Sequence, residues 1–156
     1  MGTITVRTAE HADLDTVVDI HIRSRRGYYE GHVPESVLRD WEGRVRAAGY
    51  RLDPGPTRRW LCAELDGLLV GFALVTATGR LWQLHVDPDR RGNGVGTALH
   101  DACVAALVGL GARRGELDVF VDNHRGREFH RSRGWREVGT TQEEYVHVLM
   151  ERDLTR

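Results

Sequence analysis

The stretch VDPDRRGNGVGTALH, Val86–His100, sets Gly92, Asn93, Gly94 and Gly96 between an apolar strand and an apolar helix. Glycine costs backbone entropy at such a junction, so several together imply a need for close, bare main chain. A helix N-terminus carries unsatisfied N–H groups and roughly half a positive charge from its macrodipole, which favours anions. Glycines ahead of it let those N–H groups converge without Cβ atoms in the way. Strand Leu81–Val86, loop Arg91–Gly96 and a helix from Thr97 onward therefore describe a phosphate cradle. The competing reading is a tight, ligand-free strand-to-helix turn, for which one glycine would suffice.

Two familiar phosphate loops fit poorly. A P-loop needs Gly-Lys-Ser/Thr, and here Gly96-Thr97-Ala98 carries no lysine. A dinucleotide fold wants G-x-G-x-x-G in a first βαβ unit, whereas this G-x-G-x-G follows a hairpin past mid-chain.

On either side of the loop the chain alternates elements. TITVRTA (Thr3 to Ala9) has period two and predicts a strand. DLDTVVDIHIRSRRGYY follows with Leu14, Val17, Val18 and His21 or Ile22 at helical spacing and Asp13 as a candidate N-cap. GYYEGHV is predicted as a loop with two exposed tyrosines. A second helix starts at Pro34, shows Val37, Leu38, Trp41 and Val45 on one face and ends near Gly49. The turn-rich connector LDPGPTR leads to two apolar runs hinged at Asp66-Gly67, a hairpin signature. RLWQLHVDP is a strand stopped by Pro88. The helix after the glycine loop carries an apolar stripe at Val95, Leu99, Cys103, Ala106, Leu107 and Leu110. ELDVFVDN is a strand, HRGREFHRSRG a short helix ended by Gly134, and YVHVLMERDL the last strand. The order β-αα-βββ-α-β-α-β predicts an α/β (α+β) fold: one domain over residues 1–156, with a mixed, mostly antiparallel central sheet, flanking helices and a right-handed crossover at the glycine loop.

Composition narrows the function. The 156 residues are 40% hydrophobic and 29% charged with a formal net charge of -1, ordinary for a globular domain and unsuited to nucleic-acid binding by bulk charge. Local basic clusters (Arg23, Arg25 and Arg26; Arg125, Arg127, Arg131 and Arg133) are solvated surface or sites for a small anionic ligand. Cys62 and Cys103 lie in apolar runs and read as buried free thiols. No apolar signal core opens the chain and no apolar stretch approaches the roughly 18 residues of a membrane span, so a cytoplasmic protein without a membrane partner is expected. Met1-Gly2 begins a myristoylation pattern that Val6 breaks.

Arg91-Gly92-Asn93-Gly94-Val95-Gly96 resembles the R/Q-x-x-G-x-G/A loop of the GNAT superfamily of acetyl-CoA-dependent N-acetyltransferases. LHVDPDRR is similar to that family's strand-four ending, and DNHRGREFHRSRGW to its N-x-x-A-x-x-F-Y-x-x-x-G-F segment. With the element order, the resemblance covers about residues 3 to 152. It implies acetyl-CoA as co-substrate: backbone N–H groups from Gly92 through Asn93, Gly94, Val95 and Gly96 to Thr97 would hold the pyrophosphate. Leu84, His85 and Val86 would pair with pantetheine as if it were a further strand, and Asn123 would face the same arm. It also implies that the fourth and fifth strands splay apart to admit the thioester, with an N–H of the fourth strand stabilising the oxyanion.

The family's usual acid, a tyrosine, is replaced here by His130. A protonated imidazole with an unperturbed pKa of roughly 6.5 could donate to the departing thiolate, or His130 could simply pack while thiolate leaves unaided. The family's strand-four glutamate is replaced by Arg80. Asp118, five residues before Asn123, is the alternative base, acting through water, or a solvent-facing strand residue. Glu30 and Glu64 are weaker candidates. The eight histidines show no metal-ligand spacing, so no metal is expected, and all but His130 default to satisfied or exposed positions. Tyr28, Tyr29, Glu30 and Trp82 are candidate substrate contacts; the tyrosines could instead pack on the sheet, and Trp82 in the core.

These features predict an N-acetyltransferase acting on a primary amine of a small molecule or peptide N-terminus. A non-catalytic acyl-CoA-binding sensor is the alternative, motivated by the two replaced residues, and a dinucleotide-dependent oxidoreductase a third reading. The terminal strand YVHVLM is a candidate pairing edge for a homodimer, as happens in the family.

Overall fold

The computed structural model describes residues 2–53 and 55–154. Met1, where the discarded acylation pattern begins, Pro54 of the predicted connector, Thr155 and Arg156 lie outside the described residues. The chain runs β1 (Ile4–Thr8), a 3-10 turn (His11–Asp13), α1 (Leu14–Tyr29), α2 (Glu35–Ala48), β2 (Arg58–Leu65), β3 (Leu68–Thr76) and β4 (Leu81–Val86). A second 3-10 turn (Pro88–Arg90), α3 (Val95–Gly109), β5 (Arg114–Phe120), α4 (His124–Arg131), β6 (Arg136–Thr140) and β7 (His147–Asp153) complete it.

The strands form two antiparallel sheets, ordered β1-β2-β3-β4 and β5-β7-β6. They meet at one parallel bridge, Arg80 to Glu116, where the Glu116 N–H donates to the Gly79 carbonyl at 2.9 Å. Beyond it β4 and β5 part, which is the predicted mixed, mostly antiparallel α/β architecture with a gap in mid-sheet. The β2–β3 hinge is a two-residue turn with positive φ at both Asp66 (52°) and Gly67 (83°), the conformation whose twist matches a right-handed hairpin.

Helices cover both faces. Val95, Leu99, Cys103 and Leu107 recur every fourth residue along α3 and pack on Ala63, Val70, Ala73 and Val75, as a 3.6-residue period requires. Val17 and Ile20 of α1 pack on the opposite face against Trp60, Cys62 and Phe72. The two cysteines are free and buried. α2 is an outer helix: only Leu38 is buried and Val37 is exposed.

Several expectations need correction. α1 runs to Tyr29, the full reach of DLDTVVDIHIRSRRGYY, so Gly27, Tyr28 and Tyr29 are helix and not the loop that the overlapping GYYEGHV suggested; Tyr29 packs on Phe120 and its hydroxyl donates to Nε2 of His147 at 2.7 Å. Tyr29 is buried and Tyr28 half-buried, so neither is an exposed loop residue. Asp13 stands at the N-cap of α1 as expected, but its carboxylate makes no capping bond there; it accepts from the Arg7 guanidinium at 2.8 and 2.9 Å and from the Glu10 N–H at 2.7 Å. α3 begins at Val95, where its apolar stripe begins, so the cradle's helix opens two residues before Thr97. β6 was missed, and β7 is a central strand paired on both edges, so YVHVLM offers no free edge to a second subunit.

Candidate active site

A cavity of about 590 Å3 fills the gap between β4 and β5 and runs on to the glycine loop. Its floor is β4. The β3–β4 register slips between Leu81 and Gln83, leaving Trp82 without a partner on β3, and such a bulge re-aims the strand beside it. β4 bonds β3 along one edge, and past the Arg80 bridge its other edge faces the cavity.

At the end of β4, Asp87 accepts from the Asp89 N–H and takes both Nη atoms of Arg23 at 2.8 and 3.0 Å, tying the loop to α1. Gly92 and Gly94 have φ of 85° and 82°, and Gly94 is the α3 N-cap. A Cβ at either would find room, so these glycines serve conformation. Gly96 serves space, since its Cβ would lie 3.2 Å from the Phe129 ring of α4. The first N–H groups of α3 have no intrahelical acceptor and meet the cavity here. Arg91 and Arg125 stand in the same wall, and burial together with its Arg125 neighbour presses Arg91 below its ordinary value. Two cations beside a helix N-terminus make this end of the cavity electropositive.

The other candidates distribute unevenly. Leu84, His85, Val86, Arg91, Gly92, Gly94, Val95, Gly96, Thr97 and Asn123 line the cavity. Asn93 does not; its side chain closes the loop by donating to the Arg90 carbonyl at 3.0 Å. Asn123 caps α4 by accepting from the Gly126 N–H at 3.0 Å, which leaves its NH2 group for the cavity. Tyr28, Tyr29 and Trp82 line it too, but Trp82 is half exposed at the mouth rather than in the core. Glu30 lies outside, exposed at the end of α1 with Arg26 3.8 Å away.

Asp118 and Arg80 form an ion pair across the mouth, and Arg80 also stacks on Trp82 at 4.6 Å. His130 lines the cavity, but burial, with His100 and Arg133 beside it, pushes its pKa down to about 3. It is therefore not the imidazolium expected at neutral pH. Its Nδ1 is buried without a partner.

The sequence reading missed a polar cluster in which α1 faces β4. His85 shares Nδ1 with the Ser24 hydroxyl at 3.0 Å and Nε2 with Gln83 Oε1 at 2.7 Å. His21 bonds Tyr50 and its ring lies 4.4 Å from that of His85. Burial pushes His21 down to about 4 and His85 well below its ordinary value. The helical spacing of His21, Ser24 and Tyr28 was visible in the sequence, but the facing position of His85 was not.

These histidines make stability depend on pH. Their folded pKa values are depressed, so between pH 6.5 and about 4 the unfolded chain binds more protons. The stabilisation is complete above 6.5 and is lost as pH falls through the folded values. Acid scans should show the melting temperature level above pH 7 and falling towards pH 4. His130→Phe, which breaks no hydrogen bond, should flatten that fall by about 4 kcal/mol or less; an unchanged slope would contradict the assignment.

Residues 14–135 match the family model described as Acetyltransferase (GNAT) family. The chain belongs to the GNAT acetyltransferase family. This GNAT protein is 26% identical over 145 residues to an uncharacterised N-acetyltransferase of Methanocaldococcus jannaschii, covering 86% of this chain and 62% of that relative. It thus spans less than two thirds of that relative's length. Its fold is that of the PaiA N-acetyltransferase of Thermoplasma acidophilum in complex with coenzyme A (TM-score 0.79, 19% identity, 97% of this chain and 99% of that one). It likewise matches a GCN5-related N-acetyltransferase from Rhodopseudomonas palustris (TM-score 0.81, 24% identity, 98% and 97%). Among the described residues no helix of this GNAT domain is long and apolar enough to cross a membrane, and no group of three or more His, Cys, Asp or Glu could hold a metal ion.

Proposed function

We propose that this chain is an acetyl-CoA-dependent N-acetyltransferase that acetylates a primary amine of a small molecule or a peptide N-terminus. The observation that carries the reading is the gap between β4 and β5, a single cavity that runs into the amide-rich start of α3. In this reading the N–H groups from Gly92 to Thr97, with Arg91 and Arg125, hold the diphosphate. The free edge of β4 at Leu84, His85 and Val86 pairs with pantetheine, and the Asn123 NH2 steadies the same arm. The chemistry is direct: the neutral amine's lone pair attacks the thioester carbonyl, an N–H of β4 stabilises the oxyanion, the C–S bond breaks, and the proton shed by the attacking nitrogen passes through water to the departing thiolate.

The chain's own groups constrain the proton transfers. His21, His85 and His130 stay neutral from pH 6 to 9, so none stores a proton there. His85, with both ring nitrogens held by Ser24 and Gln83, keeps α1 fixed against β4, and the amine loses its proton to water. His130 steadies the departing sulfur through an imidazole N–H, and Asp118 holds Arg80 at the mouth. Thiol release should therefore rise with pH along the amine's own titration. An inflection near 6.5 would contradict these assignments.

The deciding experiment mixes purified protein, acetyl-CoA and an amine panel and reads free thiol. Amine-dependent release supports the proposal. Coenzyme binding without release under any amine favours a sensor, the reading suggested by the replaced acid and base. Binding of NADH in preference to coenzyme A would revive the oxidoreductase.

A further inference from the structure

Three arginines stand close together on α1, and two are spoken for. Arg23 pairs with Asp19 and Asp87, and Arg26 with Glu35 and Glu42. Arg25 lies between them in sequence and, among the described residues, meets no carboxylate within ion-pair distance. Its Nη1 is closed off from water with no hydrogen-bond partner. Arg25 as a whole is half-buried and lines the main cavity; a charge partly stripped of water and without a carboxylate is costly, and an anion reaching its cavity-facing part gains more there than at an exposed site.

The surroundings say which kind of anion. The guanidinium carbon lies 3.5 Å from the centroid of the Trp41 ring and 4.8 Å from that of Tyr29. Stacking occupies the face of the group and leaves its edge for in-plane hydrogen bonds, the geometry a planar carboxylate accepts. Arg25 belongs to the cavity wall in which Tyr28, Ser24, His21 and His85 also stand. Asp118, in that wall, is bound to Arg80. Glu143 and Glu144 line a second cavity of about 330 Å3 that shares Arg25, but both are exposed and neither pairs with it. Arg25 thus has aromatic partners in Trp41 and Tyr29 but, among the described residues, no carboxylate, and it stands beside the histidine pair.

We infer that the acetyl acceptor is a small amine bearing a carboxylate, and that the Arg25 guanidinium holds this carboxylate while the amine is presented to the thioester. The inference rests on the acetyltransferase reading and narrows its acceptor. It also gives the cavity a division of labour: the α3 N-terminus, Arg91 and Arg125 take the anionic coenzyme, and Arg25, between α1 and α2, takes the anionic end of the acceptor. A diamine or a phenethylamine-like base would leave the guanidinium unpaired and bring a cation towards it.

The test compares matched acceptors. Thiol release is measured with acetyl-CoA and the L-amino acids, their carboxamides and their decarboxylated amines, for the native protein and for Arg25→Gln and Arg25→Lys. The best amino acid should exceed its carboxamide in kcat/KM by about tenfold or more, the worth of one charge-assisted contact. Arg25→Gln should erase that ratio, Arg25→Lys should keep part of it, and calorimetry should find acetyl-CoA binding unchanged in both. Because the ratio is measured first within the native protein, it decides even if a variant fails to fold. Equal or faster reaction of carboxamides, a ratio that survives Arg25→Gln, or no reaction of any amino acid by a protein that binds acetyl-CoA overturns the inference. Weakened acetyl-CoA binding in Arg25→Gln also overturns it, by giving this guanidinium to the coenzyme. A native protein that binds no acetyl-CoA refutes the acetyltransferase reading itself, and this inference falls with it.

Discussion

Gly94→Val should weaken acetyl-CoA binding by about a hundredfold or more while the protein stays folded. Gly94 holds the α3 N-cap at φ 82°, where a residue with a Cβ is strained by roughly 1–2 kcal/mol, and a β-branched one resists most. The space itself is open, with only the Ile4 Cδ1 methyl at 3.6 Å, so the strain relaxes by rotating the loop rather than by disturbing the core. That rotation turns the first amides of α3 away from a common point. Losing two hydrogen bonds to a charged group costs about 3 kcal/mol or more, hence the factor. Isothermal calorimetry on Gly94→Val, with Gly109→Ala at the open far end of α3 as control, reads it directly. Unchanged affinity in Gly94→Val would separate the glycine loop from the coenzyme.

Gly79→Ala should lower the melting temperature by about 6–12 °C. Gly79 combines φ 98° with a close approach: an added Cβ would lie 2.3 Å from the Arg114 carbonyl oxygen, a backbone atom with no flexible side chain to give way. The left-handed conformation and the overpacking together cost about 3 kcal/mol, and a domain of this size loses roughly 2–4 °C per kcal/mol. The position matters beyond stability. The Gly79 carbonyl accepts the Glu116 N–H at the bridge where the two sheets meet, so pushing Arg114 away loosens the point from which β4 and β5 diverge. Thermal denaturation followed by circular dichroism measures the loss. A native-like melting temperature would mean that the bridge carries little of the join.

How far the sequence could be read follows from the range of the forces involved. The Asp66-Gly67 hinge and strand Leu81–Val86 are local, set by turn chemistry and a short apolar run, and both were legible. β6 was not, because REVGT is exposed throughout and carries no periodicity. Gly27, Tyr28 and Tyr29, legible both as a helix end and as the start of a loop, are helix because Tyr29 finds Phe120 and His147 on distant strands, an attraction that overrides Gly27. The same limit governs the site. Arg80 in place of a glutamate and Asp118 as a candidate base looked like separate facts, yet they are one ion pair spanning 38 residues. The expectation of a protonated His130 used the pKa of a solvated imidazole, and burial removed it. Which of three neighbouring arginines lacks a partner became visible only once the others had found theirs.

The most direct test of the account compares acetyl-CoA with S-acetylpantetheine, which keeps the thioester arm and lacks the diphosphate, in calorimetric titrations of the native protein. If the amides opening α3 hold the diphosphate, acetyl-CoA gives saturable heat and S-acetylpantetheine binds about a hundredfold more weakly or not at all. Equal affinities, or no heat with acetyl-CoA, would contradict it.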